Sequence, residues 1–148
     1  MKIALGADHA GYALKDRMAT WLREQGHEVL DFGTHSGDPV DYPDYARTVG
    51  EAVVQGRAEL GVLCCGSGVG ASMAANKMKG IRAALCHDTF SAHQSREDDD
   101  ANVLCLGPRV VGPELAMEIL RAWLAARFSG AERHRRRLAK LAELEHKP

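Results

Sequence analysis

The glycine-rich segment 65–70, with the sequence CGSGVG, carries the strongest signal for chemistry in this chain. It lies between an apolar run typical of a strand and a stretch with helical spacing. Its three glycines leave backbone N–H groups unobstructed by Cβ atoms, and the N-terminus of the following helix adds partial positive charge. We therefore expect an anion such as a phosphate to bind here. A tight turn without a ligand stays open as the alternative.

Two nucleotide-binding motifs share features with this loop. The Walker A motif ends in Gly-Lys-Ser/Thr, which the loop lacks. The Gly-x-Gly-x-x-Ala form of the dinucleotide motif does match, with Ala71 in the last place and Asp88 about twenty residues further on. However, the loop follows the third predicted strand, and the two strands that remain leave no room for a catalytic domain. We therefore do not expect a nicotinamide cofactor.

Cys65 stands where the third predicted strand meets the glycine loop. A helix N-terminus favours the thiolate form of a cysteine, so this thiol is placed to act as a base or a nucleophile. A buried, inert cysteine at a strand end is the alternative for Cys65, and it is our prediction for Cys64. Adjacent cysteines cannot converge on one zinc ion, and Cys86 and Cys105 also lie in or beside apolar runs. We therefore expect four reduced thiols and no structural metal.

Three further polar groups are candidates for binding or catalysis. Asp8-His9 follows the first predicted strand, where it is either a catalytic pair or a helix cap with a solvated neighbour. Arg133 and Arg137 lie one helical turn apart, so their guanidinium groups can converge on one phosphate, unless they belong to a solvated face. The acidic run 97–100 is by itself a solvated loop or a divalent-ion site.

Short aliphatic runs alternate with stretches of helical spacing along the whole chain. This alternation predicts one doubly wound α/β domain over residues 1–148, with a parallel sheet between helices, and it leaves the strand order open. The predicted strands are 2–7, 28–32, 60–65, 81–86 and 102–106, and the helices between and after them are 11–25, 42–55, 70–78, 89–96 and 113–128. An additional helix over 131–145 has a narrow leucine stripe, so it either completes a groove or packs on a second subunit.

Composition and charge exclude several classes of protein. The chain has 148 residues with 19 Lys+Arg and 20 Asp+Glu, so it lacks the basic excess of a general nucleic-acid binder. No apolar run approaches the roughly 18 residues that span a bilayer. The N-terminal residues lack the features of a signal peptide, so we expect a cytoplasmic protein.

Taken together, the segments resemble the ribose-5-phosphate isomerase B family, which also includes allose- and galactose-6-phosphate isomerases. The resemblance covers nearly the full length and rests on segments 6–11, 41–43, 65–70, 74–77, 80–83, 102–104, 107–112 and 133–134. It implies a Rossmann-like three-layer α/β/α fold that forms a homodimer, with active sites at the subunit interface, and it leaves a tetramer open. It also implies aldose–ketose isomerisation of ribose 5-phosphate through a cis-enediol, without metal or organic cofactor.

The resemblance assigns roles to individual residues. It implies that Cys65 is the base that moves a proton between C2 and C1, and that Ser67 is the hydroxyl of the catalytic loop. Backbone donors of the loop would stabilise the enediolate, and they belong to Gly66, Gly68, Val69 and Gly70. The remaining matches are residues that contact the sugar or its phosphate, namely Asp8, His9, Tyr42, Arg109, Arg133 and Arg137.

One departure from the family pattern concerns ring opening. The family usually has His-Asn where this chain has Asp98-Asp99, and that histidine is the acid that opens the furanose ring. A carboxylic acid is ionised at neutral pH unless burial keeps it protonated, so it is a poor acid there. Asp98 could act as a base on the anomeric hydroxyl, ring opening could proceed unassisted, or the substrate could be open-chain, as tetrose 4-phosphates are. In each case Asp99 stands at a substrate-binding position.

Three functions therefore follow from the sequence. A ribose-5-phosphate isomerase is the one we expect. An isomerase of another sugar phosphate, such as a tetrose 4-phosphate, allose 6-phosphate or galactose 6-phosphate, is the nearest alternative. A non-catalytic module that binds a sugar phosphate is the alternative from a different class.

Overall fold

The computed structural model describes residues 1–146, in which strands and helices alternate. The strands are β1 (Lys2–Ala7), β2 (Glu28–Asp31), β3 (Leu60–Cys64), β4 (Ala83–Leu85) and β5 (Val103–Leu106). The helices are α1 (Tyr12–Glu24), α2 (Tyr42–Val54), α3 (Val69–Ala75), α4 (Thr89–Glu97), α5 (Pro113–Ala125) and α6 (Glu132–Leu144). Each predicted strand and helix is present, and no end moves by more than three residues.

The five strands form one parallel sheet in the order β2-β1-β3-β5-β4. Helix α1 carries the chain outward from β1 to β2, and α2 returns it past β1 to β3. The direction of winding therefore reverses between β1 and β3, and ligands bind at such a point beyond the carboxyl ends of the strands. Ala7 of β1 and Cys64 of β3 are register partners, so Asp8 and Cys65 emerge side by side at this reversal.

Helices cover both faces of the sheet, which confirms the predicted three-layer α/β/α sandwich. One apolar core lies beneath α1 and α5, where Met18, Leu22 and Trp123 are fully buried. The other core lies beneath α2 and α3 and uses smaller side chains such as Ala46 and Val49. Together the two cores hold the strand ends in fixed register and so position the loops that follow them.

Helix α6 lies largely outside both cores. Among residues 132–144 only His134 is buried, while Leu141 and Leu144 are 47% and 58% exposed. The narrow stripe predicted for this helix is therefore present, and its leucines are left on the surface of the single chain. In the described part of the chain, no helix combines the length and the apolar character needed to cross a membrane.

Candidate active site

The glycine loop between β3 and α3 is built around a left-handed turn at Gly68. This residue has φ +79°, a conformation that side-chain-bearing residues rarely adopt. A Cβ here would also lie 2.8 Å from the backbone Cα of Leu106, so the position requires glycine. The turn points the Gly68 N–H back at Cys65, and it donates a hydrogen bond to the Sγ atom at 3.1 Å. The thiol therefore faces the loop's own backbone donors.

Cys64 and Cys65 have opposite surroundings because successive residues of a strand point to opposite faces. Cys64 packs in the core beneath α1 and α5, and Cys65 packs in the core beneath α2 and α3. Complete burial, reinforced by the neighbouring Cys65, raises the pKa of the Cys64 thiol to about 12. Cys64 therefore keeps its proton at neutral pH, as predicted for an inert strand-end cysteine. Burial also raises the pKa of Cys86, to about 11.

Asp8 and His9 lie beside this loop, at the end of β1. The Asp8 N–H donates to the Cys64 carbonyl oxygen at 3.2 Å, which ties the two strand ends together. The Asp8 carboxylate accepts the N–H groups of Ala10 and Gly11 at 2.9 and 3.1 Å, so it caps the turn before α1. These bonds use one of the two carboxylate oxygens. The N-cap residue of α1 is Gly11, without a side-chain cap bond, so Asp8 caps the preceding turn and is not the helix N-cap that was predicted.

His9 is held by the segment that follows β2. Its Nδ1 atom accepts the Val40 N–H at 3.2 Å, so in the neutral ring the proton is on Nε2. The ring is partly exposed, which leaves Nε2 available to a ligand at the carboxyl edge of the sheet.

Tyr42 and Arg109 border the glycine loop on opposite sides. A Cβ on Gly70 would lie 2.6 Å from the Tyr42 ring, so the ring packs directly on the backbone there. A Cβ on Gly66 would lie 3.0 Å from Nη1 of Arg109, and the Arg109 N–H donates to the Gly66 carbonyl oxygen at 3.0 Å. The guanidinium group is therefore at the loop, where a phosphate would meet it.

The structure thus brings together most of the residues predicted for the site. We call them the carboxyl-edge group, which comprises Asp8, His9, Tyr42, Cys65, Gly66, Ser67, Gly68, Val69, Gly70 and Arg109. Within it, Ser67 is partly exposed and its Oγ accepts the Val69 N–H at 3.3 Å. The hydroxyl therefore stays on the outer side of the loop.

Sequence reasoning assigned no role to His87, which lies two residues after β4 at the same edge of the sheet. Its Nε2 atom accepts the Gly107 N–H at 3.2 Å, directly beside the glycine loop. The signal for it was its position alone, one of several polar residues that follow a predicted strand.

Four of the predicted site residues lie at the opposite edge of the sheet. We call them the amino-edge group, which comprises Asp98, Asp99, Arg133 and Arg137. Asp98 and Asp99 precede β5, whereas Arg109 follows it, and a four-residue strand spans about 13 Å. Within one chain, therefore, Asp98 and Asp99 cannot touch a molecule bound at Cys65, and the contact of His134 with Asp98 places the start of α6 at the same edge.

Within the amino-edge group, Asp98 is paired with the buried His134. An Asp98 carboxylate oxygen lies 3.5 Å from His134 Nε2, and His134 Nδ1 is hydrogen-bonded to the Ser129 hydroxyl at 2.6 Å. The Asp98 side chain is about a third exposed, so its carboxylate still reaches the surface. The His134 imidazole is thus hydrogen-bonded at Nδ1 and lies at ion-pair distance from Asp98 at Nε2.

Asp99 lines a cavity of about 670 Å³ between the end of α3, the start of β4 and α6. Lys77, Arg82, Leu141 and Leu144 also line this cavity. Its lining is therefore mixed, with apolar, basic and acidic side chains. Its position places it beside the exposed leucines of α6.

Arg133 and Arg137 are exposed on α6. As far as the structure describes the chain, neither of them forms a salt bridge, and nor does Arg109. Their positive charges are therefore not neutralised by the described residues, which suits all three to binding an anion.

The acidic residues that could suggest a metal site form ion pairs with basic side chains. Asp16, Asp31 and His35 place ligand atoms within 4.8 Å of one another. However, the buried Lys15 ammonium lies 2.9 Å from Asp16 and 2.7 Å from Asp31, so it already neutralises the two carboxylates. In the acidic run 97–100, three carboxylates face a histidine or an arginine. The divalent-ion alternative for that run therefore has no support from its contacts.

Several exposed apolar side chains lie on elements that adjoin the carboxyl-edge group. We call them the apolar rim, which comprises Val69 of that group together with Met73, Leu85, Phe90 and Val110. Phe90, in the first turn of α4, is 72% exposed, and Met73 is 62% exposed. Large apolar side chains clustered around a site are typical of an interaction surface.

Comparisons with known proteins identify the family of the chain. A family model described as ribose/galactose isomerase matches residues 3–141. The chain is 48% identical over 146 residues to ribose-5-phosphate isomerase B of Escherichia coli, covering 99% of this chain and 97% of that protein. It is 46% identical over 131 residues to D-erythrulose-4-phosphate isomerase of Pectobacterium atrosepticum, covering 88% of this chain and 86% of that protein. The solved structure of Clostridium thermocellum ribose-5-phosphate isomerase B is similar with a TM-score of 0.96 and 51% identity, covering 98% of this chain and 97% of that chain. The chain therefore belongs to the ribose/galactose isomerase family, as its motifs predict.

Proposed function

We propose that the protein is an aldose–ketose isomerase that interconverts ribose 5-phosphate and ribulose 5-phosphate, with Cys65 as the base. The observation that carries this proposal is the Cys65 thiol, which faces the Gly68 N–H at 3.1 Å inside a loop of backbone donors. Asp8 and Arg109 contact the two segments that meet at that loop, and together with His9 they would bind the sugar and its phosphate. The relatives named ribose-5-phosphate isomerase B support this substrate.

The chemistry needs a base, a stabilised oxyanion and no redox partner. The Cys65 thiolate removes the proton from C2 of the open-chain aldose, and the C–H electron pair forms the C1–C2 double bond. The carbonyl electrons move onto O1, where loop N–H groups other than those of Gly68 and Val69, which already donate to Cys65 Sγ and Ser67 Oγ, stabilise the oxyanion, a contribution typically worth a few kcal/mol. The proton of the O2 hydroxyl passes to O1 as C2–O2 becomes the carbonyl, and the electrons of the C1–C2 double bond take the proton back from the thiol at C1. The thiolate is thereby regenerated.

Cysteine replacements test the base. Cys65→Ala should abolish exchange of the C2 proton with solvent while leaving sugar-phosphate binding largely intact. Cys64→Ala is the matched control, since that thiol faces the other core and keeps its proton. Unchanged turnover in Cys65→Ala would refute the assignment, and binding without exchange in the unmodified protein would favour the non-catalytic binding module.

We further propose that a second copy of the chain completes each active site. The two groups of site residues lie at opposite edges of one sheet. Within residues 1–146, the arginines of the amino-edge group form no salt bridge. The apolar rim gives the carboxyl edge a surface suited to association. A two-fold dimer would join the carboxyl edge of one subunit to the amino edge of its partner twice.

Subunit mixing tests this arrangement. Cys65→Ala and Arg137→Ala dimers are each expected to be inactive or nearly so. A refolded equal mixture should recover about a quarter of the unmodified activity, because half of the dimers would carry one intact site of two. No recovery would mean that each site is built within one chain.

The Asp98–His134 contact favours a second candidate, an isomerase of open-chain tetrose 4-phosphates. Because His134 is buried and the Asp98 side chain is about a third exposed, the amino-edge group offers a carboxylate rather than an accessible imidazole for ring opening. A tetrose 4-phosphate has no five-membered ring to open, and one relative is named D-erythrulose-4-phosphate isomerase. The ratio of kcat/KM for erythrose 4-phosphate and ribose 5-phosphate decides between the two substrates.

We place the protein in the cytoplasm. All four cysteines, Cys64, Cys65, Cys86 and Cys105, are free thiols in or next to strands of the sheet. Reduced thiols are typical of proteins that work in a reducing compartment. Fractionation of cells followed by immunodetection would test the location.

A further inference from the structure

The half-buried imidazole of His87 joins the ends of two neighbouring strands. It follows β4, and its Nε2 atom accepts the N–H of Gly107, which follows β5. A ring nitrogen accepts a hydrogen bond only when it carries no proton, so the neutral ring has its proton on Nδ1. The contact therefore needs an acceptor at one defined distance from the backbone of residue 87.

Gly107 packs against the backbone of the glycine loop and leaves no room for a side chain. A Cβ at this position would lie 2.3 Å from the Gly66 carbonyl oxygen and 2.4 Å from Ser67 Cα. Two residues further on, the Arg109 N–H donates to the same Gly66 oxygen at 3.0 Å. Residues 107–109 and 66–67 are therefore packed backbone to backbone, and a shift in one segment moves the other.

We propose that His87 is a positioning residue of the isomerase, which holds residues 107–109 against the glycine loop through the Gly107 N–H. This inference rests on the proposed function. The hydrogen bond fixes the Arg109 guanidinium relative to the donors of the loop, so that phosphate and oxyanion are bound at the correct separation. His87 itself need not touch the substrate.

Three replacements separate this role from simple packing. In His87→Gln the Oε1 atom lies as many bonds from Cα as Nε2 does, so it can accept the Gly107 N–H. In His87→Asn the oxygen is one bond too short, and His87→Leu fills space without an acceptor. If His87 acts only by packing, the leucine variant should bind and turn over ribose 5-phosphate at least as well as the glutamine variant. If the hydrogen bond matters, the glutamine variant should do both better than the leucine and asparagine variants.

The test measures binding of ribose 5-phosphate by calorimetry and its turnover for each variant, after thermal unfolding has shown that each is folded. We expect His87→Leu and His87→Asn to lose about tenfold or more in kcat/KM and to bind more weakly, as loss of a buried hydrogen-bond partner typically costs. His87→Gln should stay within about threefold of the unmodified protein. The inference would be overturned if His87→Leu and His87→Gln gave the same affinity and the same kcat/KM.

The two readouts keep this inference distinct from the proposed function. If the unmodified protein binds the sugar phosphate without turning it over, the isomerase proposal fails, and the ranking of the three variants in binding still decides the role of His87. If it turns over normally and the ranking is absent, only the role of His87 fails. Absence of both binding and turnover would overturn both.

Discussion

Replacing Gly107 by alanine tests the backbone packing that forms the active-site loop. The added Cβ would lie 2.3 Å from the Gly66 oxygen and 2.4 and 2.5 Å from two backbone atoms of Ser67, whereas ordinary contact begins at 3.4 Å. Because all three neighbours are backbone atoms, no rotamer change relieves the overlap. The two segments must separate by about 1 Å, the difference between the ordinary distance of 3.4 Å and the 2.3 Å found here.

This separation has consequences for both stability and rate. Overpacking of this kind typically costs 1–3 kcal/mol, so we expect Gly107→Ala to lower the free energy of unfolding by about 2 kcal/mol. A 1 Å misplacement of groups that bind the reacting atoms can cost on the order of 100-fold, and we expect a loss of about that size in kcat. Urea unfolding measures the first effect, and initial rates with ribose 5-phosphate measure the second.

Gly112→Ala is the matched control for this replacement. Gly112 has φ −69° and ψ 163°, and a Cβ there meets no atom within 4 Å. Alanine at 112 should therefore leave the rate nearly unchanged and lower the stability much less than alanine at 107, by no more than the loss of a favourable N-cap residue of α5. If Gly107→Ala behaves like this control, the described packing of residues 107–109 against the glycine loop is wrong.

Two further replacements test the buried ion pair and ring opening. Burial raises the pKa of Asp31, but hydrogen bonds from Lys15 and the Gly33 N–H outweigh it and leave the pKa below its ordinary value. The stability that the ionised carboxylate contributes is therefore fully present above about pH 4, and it is lost as pH falls through the folded-state pKa. Asp31→Asn should lower the free energy of unfolding in urea at pH 7 by about 3 kcal/mol, and the loss should shrink in acid. Asp16→Asn is the control and should cost less, because the Asp16 side chain is half-exposed. A loss from Asp31→Asn that does not change with pH would contradict the pairing with Lys15. Asp98→His should raise kcat/KM for ribose 5-phosphate and leave that for erythrose 4-phosphate unchanged, measured by initial rates. No gain on the cyclic substrate would rule out ring opening as the limitation.

The elements of the fold follow from local patterns in the sequence. Strand and helix ends were predicted within three residues because aliphatic runs and helical spacing alternate without interruption. The opposite environments of Cys64 and Cys65 also follow from the two-residue period of a strand. Strand order does not follow, because placing β5 between β3 and β4 depends on packing between elements far apart in sequence.

The candidate site was predictable to a similar extent. Residues that directly follow strands meet at the carboxyl edge, as a parallel sheet requires, and this accounts for Asp8, Cys65 and Arg109. The contacts Asp98–His134 and His87–Gly107 were not predictable, since each joins side-chain or backbone atoms whose positions depend on the packed structure. Those contacts are what bear on ring opening and on the placement of the loop.

NMR of ribose 5-phosphate in deuterated water with the unmodified protein tests the central claim most directly. A cysteine base that holds the C2 proton as a thiol either returns it to C1 or exchanges it with solvent first. We therefore predict formation of ribulose 5-phosphate, with deuterium at C1 in the part of the product whose proton has exchanged. No conversion and no exchange of the C2 proton would contradict the account.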